Sequence, residues 1–374
     1  MNAGGGTMAE TDAPTKTISD FEASLKKADT AVASFAEDDK SFVHQVRSFL
    51  RNYPTAIPFL VLVISVIIFG IIDATLNGDR ANFMTPNTLS TVLKQVTVVG
   101  IVAIAQTLVI LTAGIDLSVA AILVLSSIIM GKLSVDLGLP PALSVMIGLA
   151  FGGLMGCING LLVTKVKLPP FIVTLGTLSI YSALKLWYSG SQSIRGADIK
   201  EQAPLLLWFG EAFNFGGATL TYGGIAMILL AFVVWYILTK TAWGRHVHAI
   251  GDDPDAAMLA GIQTNRVLIG VYTFAGLICA FGGWVAIGRV GSISPIGFET
   301  ANLDSITAVV IGGTSLFGGR GSIPGSVLGA LIVGVFSTGL SVAARVDDYW
   351  QTFAAGCLVL IAVALDQWLR RASK

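Results

Sequence analysis

The polar side chains that interrupt long apolar runs are the first candidates for chemistry in this chain of 374 residues. Asp116 stands between two apolar runs, where its carboxylate can accept hydrogen bonds from free backbone N–H groups at a helix start. Alternatively, Asp116 lines a polar path, because a carboxylate in apolar surroundings is unfavourable unless it is paired or hydrated. Gln106, Thr112 and Asn159 are candidates for the same path, although each could equally bond a neighbouring helix.

Metal, nucleotide and catalytic chemistry find little support in the residue types. The chain has three histidines, three cysteines and no CxxC or HExxH motif, so we expect no metal centre. The glycine-rich stretch 308–325 contains Arg320 but lacks the GxxxxGK[ST] pattern of a nucleotide-hydrolysing loop. An enzyme embedded in a membrane would need clustered His, Asp or Glu, and the sequence offers no such cluster within its apolar runs. We therefore predict no catalytic residues and no cofactor.

The composition is that of an integral membrane protein. Hydrophobic residues make up 54% of the chain and charged residues 12%, about half the roughly 25% usual in soluble domains. Basic and acidic residues number 23 each, which gives no reason to expect a nucleic-acid partner. The apolar runs have the length of about 20 residues that crosses a hydrocarbon core of roughly 30 Å. They predict an all-α fold with about ten transmembrane helices, the third and eighth short or broken, at 55–76, 92–113, 117–133, 142–164, 170–189, 223–239, 266–288, 304–316, 324–344 and 350–369.

The chain divides into a polar tail, 1–50, and a transmembrane domain, 51–374. The tail is expected to be partly disordered, with an amphipathic helix whose apolar side chains recur from Ile18 to Phe35. Such a helix rests on the bilayer surface or docks on a cytosolic partner. Basic residues in alternate short loops, including Lys165, Arg245 and Arg320, predict that both termini are cytoplasmic.

Ten crossings allow an inverted repeat of two halves with five helices each, an arrangement common in transporters. Two similar strings, Asp116-Leu-Ser-Val-Ala120 and Asp304-Ser-Ile-Thr-Ala308, each open an apolar helix in this interpretation. Chance similarity between small residues of apolar helices explains the strings equally well.

Glycines at every fourth position predict a helix-packing surface. Without side chains, such a face lets two backbones approach closely in lipid. Its members are Gly148, Gly152, Gly156 and Gly160.

The loop after the sixth predicted helix carries a short helix with strong end signals. Asp253 is a good N-cap, Pro254 suits the first helical position and Gly261 suits the end. A helix of about two turns is unstable alone and needs a surface to lie against. It could lie flat on the membrane, but it lacks the Lys, Arg and aromatic residues that favour that. We predict docking on another protein through Gly251, Asp252, Asp253, Pro254, Asp255, Ala256, Ala257, Met258, Leu259, Ala260 and Gly261.

Four strings resemble the permease subunits of bacterial ABC importers for monosaccharides, the ribose, xylose and fructose group. They are LTAGIDLSVA, KLPPFIVTLGT, GDDPDAAMLAGI and VVIGGTSLFGGRGS, and the similarity extends from about residue 55 to the end. The paired acids of Gly251-Asp-Asp-Pro-Asp255 and the ending Val-Ala-Leu-Asp-Gln-Trp368 are most similar to the fructose-importing members.

The resemblance implies a transport subunit of the bacterial inner membrane that is not itself an enzyme. Two copies would form the pore in the lipid bilayer, cytosolic ATPase subunits would drive it, and a periplasmic sugar-binding protein would deliver fructose, ribose or mannose. It also implies that 252–262 is the coupling helix, although many relatives have Asn where Asp253 stands. A secondary transporter or channel for a small polar solute is the alternative; it would be expected to place ionisable residues within the spans.

Overall fold

The computed structural model describes residues 55–347 and, after them, 349, 350, 353, 354, 356, 357, 360 and 364. The predicted tail and its amphipathic helix lie outside the described residues, as does most of the predicted helix 350–369.

Long apolar helices make up most of the described chain. In chain order the helices are α1 Ala56–Asn77, α2 Pro86–Leu111, α3 Val119–Gly131, α4 Pro141–Lys165, α5 Pro170–Ser189, α6 Gly196–Gln202, α7 Tyr222–Lys240, α8 Ala242–Asp252, α9 Pro254–Leu259, α10 Thr264–Val290, α11 Ala301–Ile311 and α12 Ile323–Thr338. A π-helical turn extends α3 over Lys132–Asp136, and another extends α12 over Gly339–Ala343. Within the described part, eight helices are long and apolar enough to cross a membrane.

The apolar runs predicted most of these helices within a few residues, and the all-α membrane fold is confirmed. The prediction for the third helix was wrong in its length. We predicted a short or broken span at 117–133, but the π-helical turn extends the helix to Val119–Asp136, which is long enough to cross a membrane. The eighth is short, since α11 has 11 residues. Several helices begin where the sequence favours a helix start. Pro occupies the first or second helical position of α2, α4, α5, α9 and α12.

Several elements are shorter than the apolar runs of about 20 residues that were used for prediction. Strands β1 Ala212–Phe215 and β2 Ala218–Thr221 form an antiparallel hairpin between α6 and α7. A 3₁₀ helix, Pro204–Gly210, precedes the hairpin. The N–H of Thr219 donates to Ser90 Oγ at 2.9 Å, which ties β2 to α2.

The interior is built around α2, whose residues from Val96 to Leu111 are almost all buried. It packs against α7, α10, α11 and α12. By contrast, α1, α5 and α7 each carry an exposed row of large apolar side chains, such as Phe59, Leu175 and Phe232. Such rows suit contact with lipid or with another apolar protein surface.

The four-residue glycine row of α4 lies mainly against α10. A Cβ atom on Gly156 would overlap the carbonyl oxygen of Tyr272, and one on Gly160 would be 2.9 Å from Ile269 Cα. A Cβ on Gly152 would overlap Ala280 Cβ, while Gly148 faces Met130 of α3. The backbones therefore approach more closely than any side chain would allow.

The ends of α2 and α11 share one backbone arrangement. Gly114 N donates to Val109 O at 3.1 Å after Ala113, whose φ is 59°, and Thr314 N donates to Val309 O at 3.1 Å after Gly313, whose φ is 86°. Asp304 lies in the first turn of α11 rather than before it, so the strings that suggested a repeat do not occupy equivalent places. The inverted repeat stays a prediction.

Candidate functional site

The segment 112–118 between α2 and α3 is a break in which a carboxylate holds the chain. Asp116 Oδ1 accepts hydrogen bonds from Ser118 N at 2.7 Å and from Ser118 Oγ at 2.6 Å. Asn159 Nδ2 of α4 donates to Ser118 Oγ at 2.8 Å. Asp116 therefore closes a tight turn just before α3, a role that short acidic side chains commonly fill.

Other helices bond the backbone of this break. The amide of Gln106 faces Asp116; with its oxygen and nitrogen oriented to satisfy both groups, it donates to Asp116 O at 3.0 Å and accepts from Asp116 N at 3.2 Å. Thr174 Oγ1 donates to Ile115 O at 3.0 Å, and Asn302 Nδ2 donates to Leu117 O at 3.3 Å. Side chains from α2, α5 and α11 thus satisfy backbone groups that a broken helix leaves free.

The break is closed to solvent in this conformation. Asp116 is 1% exposed, and Gln106 and Asn159 are fully buried. Asn159 Oδ1 and Tyr272 Oη are buried without a hydrogen-bond partner, and a Cβ on Gly114 would be 2.7 Å from that Tyr272 oxygen. The break therefore combines a carboxylate with unused polar capacity.

Of the four residues predicted for a substrate path, the structure brings three together: Gln106, Asp116 and Asn159. Thr112 bonds its own helix instead, since its Oγ1 donates to Val109 O at 2.8 Å. A role for any of them along the path stays a prediction. No group of three or more His, Cys, Asp or Glu side chains that could hold a metal ion lies within the described part of the chain.

The predicted docking segment folds as α9, with both ends capped. Asp253 Oδ1 accepts from Asp255 N at 2.9 Å and from Ala256 N at 3.0 Å. At the other end Gly261 has a φ of 85°, and Ile262 N donates to Ala257 O at 3.0 Å. These bonds stabilise a helix of six residues that would be marginal alone.

Two large apolar side chains of α9 are exposed, next to the acidic first turn that contains Asp255. Leu259 is 87% exposed and Met258 58% exposed, whereas Ala257 is buried against the rest of the protein. Two adjacent large apolar side chains on a capped helix suit insertion into a groove of a partner.

The segment just before α9 in sequence, Gly251–Asp252, contacts two backbone segments that are distant in sequence, Leu111–Ala113 and Gly318–Gly319. We call the place where the three segments meet the glycine junction. Gly319 N donates to Leu111 O at 3.0 Å. A Cβ on Gly251 would overlap that same oxygen, and one on Gly319 would be 3.0 Å from Asp252 Cα. The end of α8 therefore touches both the break after α2 and the loop before α12.

Sequence reasoning missed α8 and the glycine junction. Thr241 was a possible signal for α8, because its side chain caps the helix by accepting from Gly244 N at 3.3 Å. Gly318 and Gly319 stood out only as part of a glycine-rich stretch, since nothing in sequence pairs them with residues 111 and 251.

Comparison with known proteins identifies the class. The family model described as branched-chain amino acid transport system / permease component matches residues 88–363. The fructose import permease protein of Rhizobium meliloti is 52% identical over 97% of this chain and 99% of its own. Ribose import permease proteins are 39% identical in Bacillus subtilis and 34% in Escherichia coli K12, over 83% and 81% of this chain and 92% of each relative. No solved structure matches.

The fold and these matches define a multi-span membrane permease, and the chain belongs to the permease-component family of transport systems. The predicted resemblance to permeases of sugar importers is confirmed. Membership implies a non-catalytic transport subunit that works with a separate ATPase and a substrate-binding protein in the inner membrane.

Proposed function

We propose that this chain forms the pore of an ATP-driven monosaccharide importer, with fructose as the favoured sugar. The observation that carries the proposal is α9, a capped helix with Met258 and Leu259 exposed, joined directly to a junction that reaches the interior. Fructose is favoured over ribose because the fructose permease relative has the higher identity, 52% against 39%.

In this proposal α9 is the coupling helix and lies on the cytoplasmic side, with both termini. The basic residues Lys165, Arg245 and Arg266 fall on the same side as α9 in the alternation of spans, in keeping with the usual excess of Lys and Arg in cytoplasmic loops. A second copy of the chain and lipid would cover the exposed apolar rows of α1, α5 and α7, which water cannot solvate well.

The glycine junction supplies a route for force. Movement of α9 displaces the end of α8, and backbone contact at Gly251 passes that displacement to Leu111 without flexible side chains between them. Because packed interiors are stiff, a small shift is transmitted rather than absorbed. The break at Asp116 is the next element along the chain, and its hydrogen bonds to α4, α5 and α11 would rearrange together.

Reconstitution tests the proposed function. The permease, a matching ATPase and a sugar-binding protein are placed in liposomes, and entry of labelled fructose is followed with ATP on the ATPase side. We expect accumulation that needs all three components and ATP. Uptake by the permease alone, driven by an ion gradient, would instead identify a secondary transporter, and passive equilibration alone would identify a channel.

A further inference from the structure

A polar cavity of about 590 Å³ lies at the end of α3 opposite the break. Residues of the π-helical turn after α3 and of the segment that follows α5 line it, together with Ile293 just after α10. Helix α10 begins five residues after α9 ends and finishes shortly before Ile293. With 27 residues it is about 40 Å long, more than the roughly 30 Å of a hydrocarbon core. The cavity and α9 therefore lie at opposite ends of a spanning helix.

One part of the cavity lining is apolar and is held by backbone hydrogen bonds. Ile194 and Ile293 pair as an antiparallel β-bridge, with N···O distances of 2.9 and 3.1 Å. Gly131 at the end of α3 fits beneath them, because a Cβ there would be 2.7 Å from Ile194 Cδ1 and would overlap Ile293 Cδ1. Ile128 completes an apolar surface that could contact the C–H face of a sugar ring.

The rim of the cavity carries both signs of charge in equal number. Lys132 Nζ and Asp136 form an ion pair at 3.1 Å, and Arg195 and Asp198 add one charge of each sign. Gln192 and Ser193 contribute neutral donors and acceptors. An anionic ligand would call for surplus cations, whereas a neutral ligand with many hydroxyl groups matches alternating donors and acceptors.

We propose that this cavity is a reception site for a neutral monosaccharide on the face opposite α9, distinct from the buried break at Asp116. Its volume falls within the roughly 300–1,000 Å³ of small-molecule sites. The identity of the ligand as a sugar rests on the proposed function. The sugar would bind here after release from the delivering protein and before it enters the pore.

The test uses the complete complex in liposomes and the cavity variants Gln192→Ala and Asp198→Ala. Glu201→Gln is the matched control, because Glu201 is an exposed residue of α6 outside the cavity lining. We expect maximal fructose uptake to fall about fivefold for each lost hydrogen bond, with no change in the half-saturating concentration of the loaded sugar-binding protein. A rise in that concentration with full uptake at saturation would overturn the proposal, because the rim would then be a docking surface for the protein.

A second measurement does not depend on the ATPase. In a permease whose native cysteines are replaced by alanine, Gln192→Cys is labelled with a maleimide, and Lys200→Cys on α6 is the control position. We expect fructose to slow labelling at position 192 and not at position 200. Leucine is included because the family model is named for branched-chain amino acids. Slower labelling at position 192 with leucine but not with fructose, or with neither, would contradict the proposal. Failure of ATP-dependent uptake in the unaltered complex would count against the proposed function instead.

Discussion

Gly251 lies so close to Leu111 that a methyl group on its Cα would overlap the carbonyl oxygen of Leu111. That oxygen already accepts the N–H of Gly319 at 3.0 Å. Two residues 140 positions apart in the chain thus connect the segment before α9 to the break between α2 and α3. The contact is short because neither partner places a side chain in it, so even the smallest addition must move a backbone segment.

The first prediction tests this contact by adding one methyl group. Gly251→Ala is expected to lower fructose uptake about tenfold. The added methyl group would destabilise the conformation in which Gly251 contacts Leu111 by about 1–3 kcal/mol, the usual cost of overpacking. ATP hydrolysis by the assembled complex should persist, because α9 itself is unchanged. Gly270→Ala on α10 is the control, since a Cβ there meets only Trp243 Nε1 at 3.6 Å. Full uptake by Gly251→Ala would show that the contact does not transmit movement.

The second prediction concerns the apolar surface of α9. The double variant Met258→Asp and Leu259→Asp should still insert and fold, because both side chains are exposed, but should lose binding of the ATPase and uptake. Co-purification of the ATPase in mild detergent measures the first effect. Leu137→Asp, an exposed leucine just after the π-helical turn of α3, is the control and should bind normally. Normal ATPase binding by the double variant would exclude α9 as the docking element.

The third prediction separates the hydrogen-bonding role of Asp116 from a role of its charge. Asp116→Asn keeps an oxygen that can accept from Ser118, whereas Asp116→Ala loses both hydrogen bonds, of 2.7 and 2.6 Å. We expect Ala to lower the free energy of unfolding by about 1–3 kcal/mol and to reduce uptake, and Asn to retain most of both. Equal loss of uptake in the two variants, with stable protein, would indicate that the carboxylate charge itself acts in transport.

The fourth prediction concerns the packing of α4 on α10. Gly156→Ala should lower the unfolding temperature in detergent, because its Cβ would overlap Tyr272 O and overpacking destabilises by about 1–3 kcal/mol. Gly176→Ala on α5 is the control, since a Cβ there has nothing within 4 Å. Equal unfolding temperatures for the two variants would mean that the helices can separate without loss.

Much of the fold follows from local sequence, and the exceptions have a physical reason. The spans α4, α5 and α7 were predicted closely because apolar runs end at Pro, Gly or charged residues. The caps of α9 were predicted from Asp253 and Gly261, since capping depends on neighbours in sequence. By contrast, the glycine junction joins three segments far apart in the chain. Only tertiary packing determines which glycines meet there.

The candidate site shows the same division. Gln106, Asp116 and Asn159 were recognisable as polar residues in apolar runs, but their mutual arrangement around Ser118 was not. Tyr272 was missed because a tyrosine within an apolar helix gives no sign that its hydroxyl group points at the break. The cavity near Gln192 was missed because its lining residues come from several separate segments.

The most direct test of the central claim is the side of the membrane on which α9 lies. In cells that lack the ATPase, which would cover α9, and in a permease without native cysteines, Leu259→Cys and Gln192→Cys are each exposed to a membrane-impermeant maleimide in intact spheroplasts and in inside-out vesicles. The account predicts labelling at position 259 only in inside-out vesicles and at position 192 only in spheroplasts. Labelling at position 259 from outside the cell would contradict the proposal that α9 receives movement from a cytosolic ATPase.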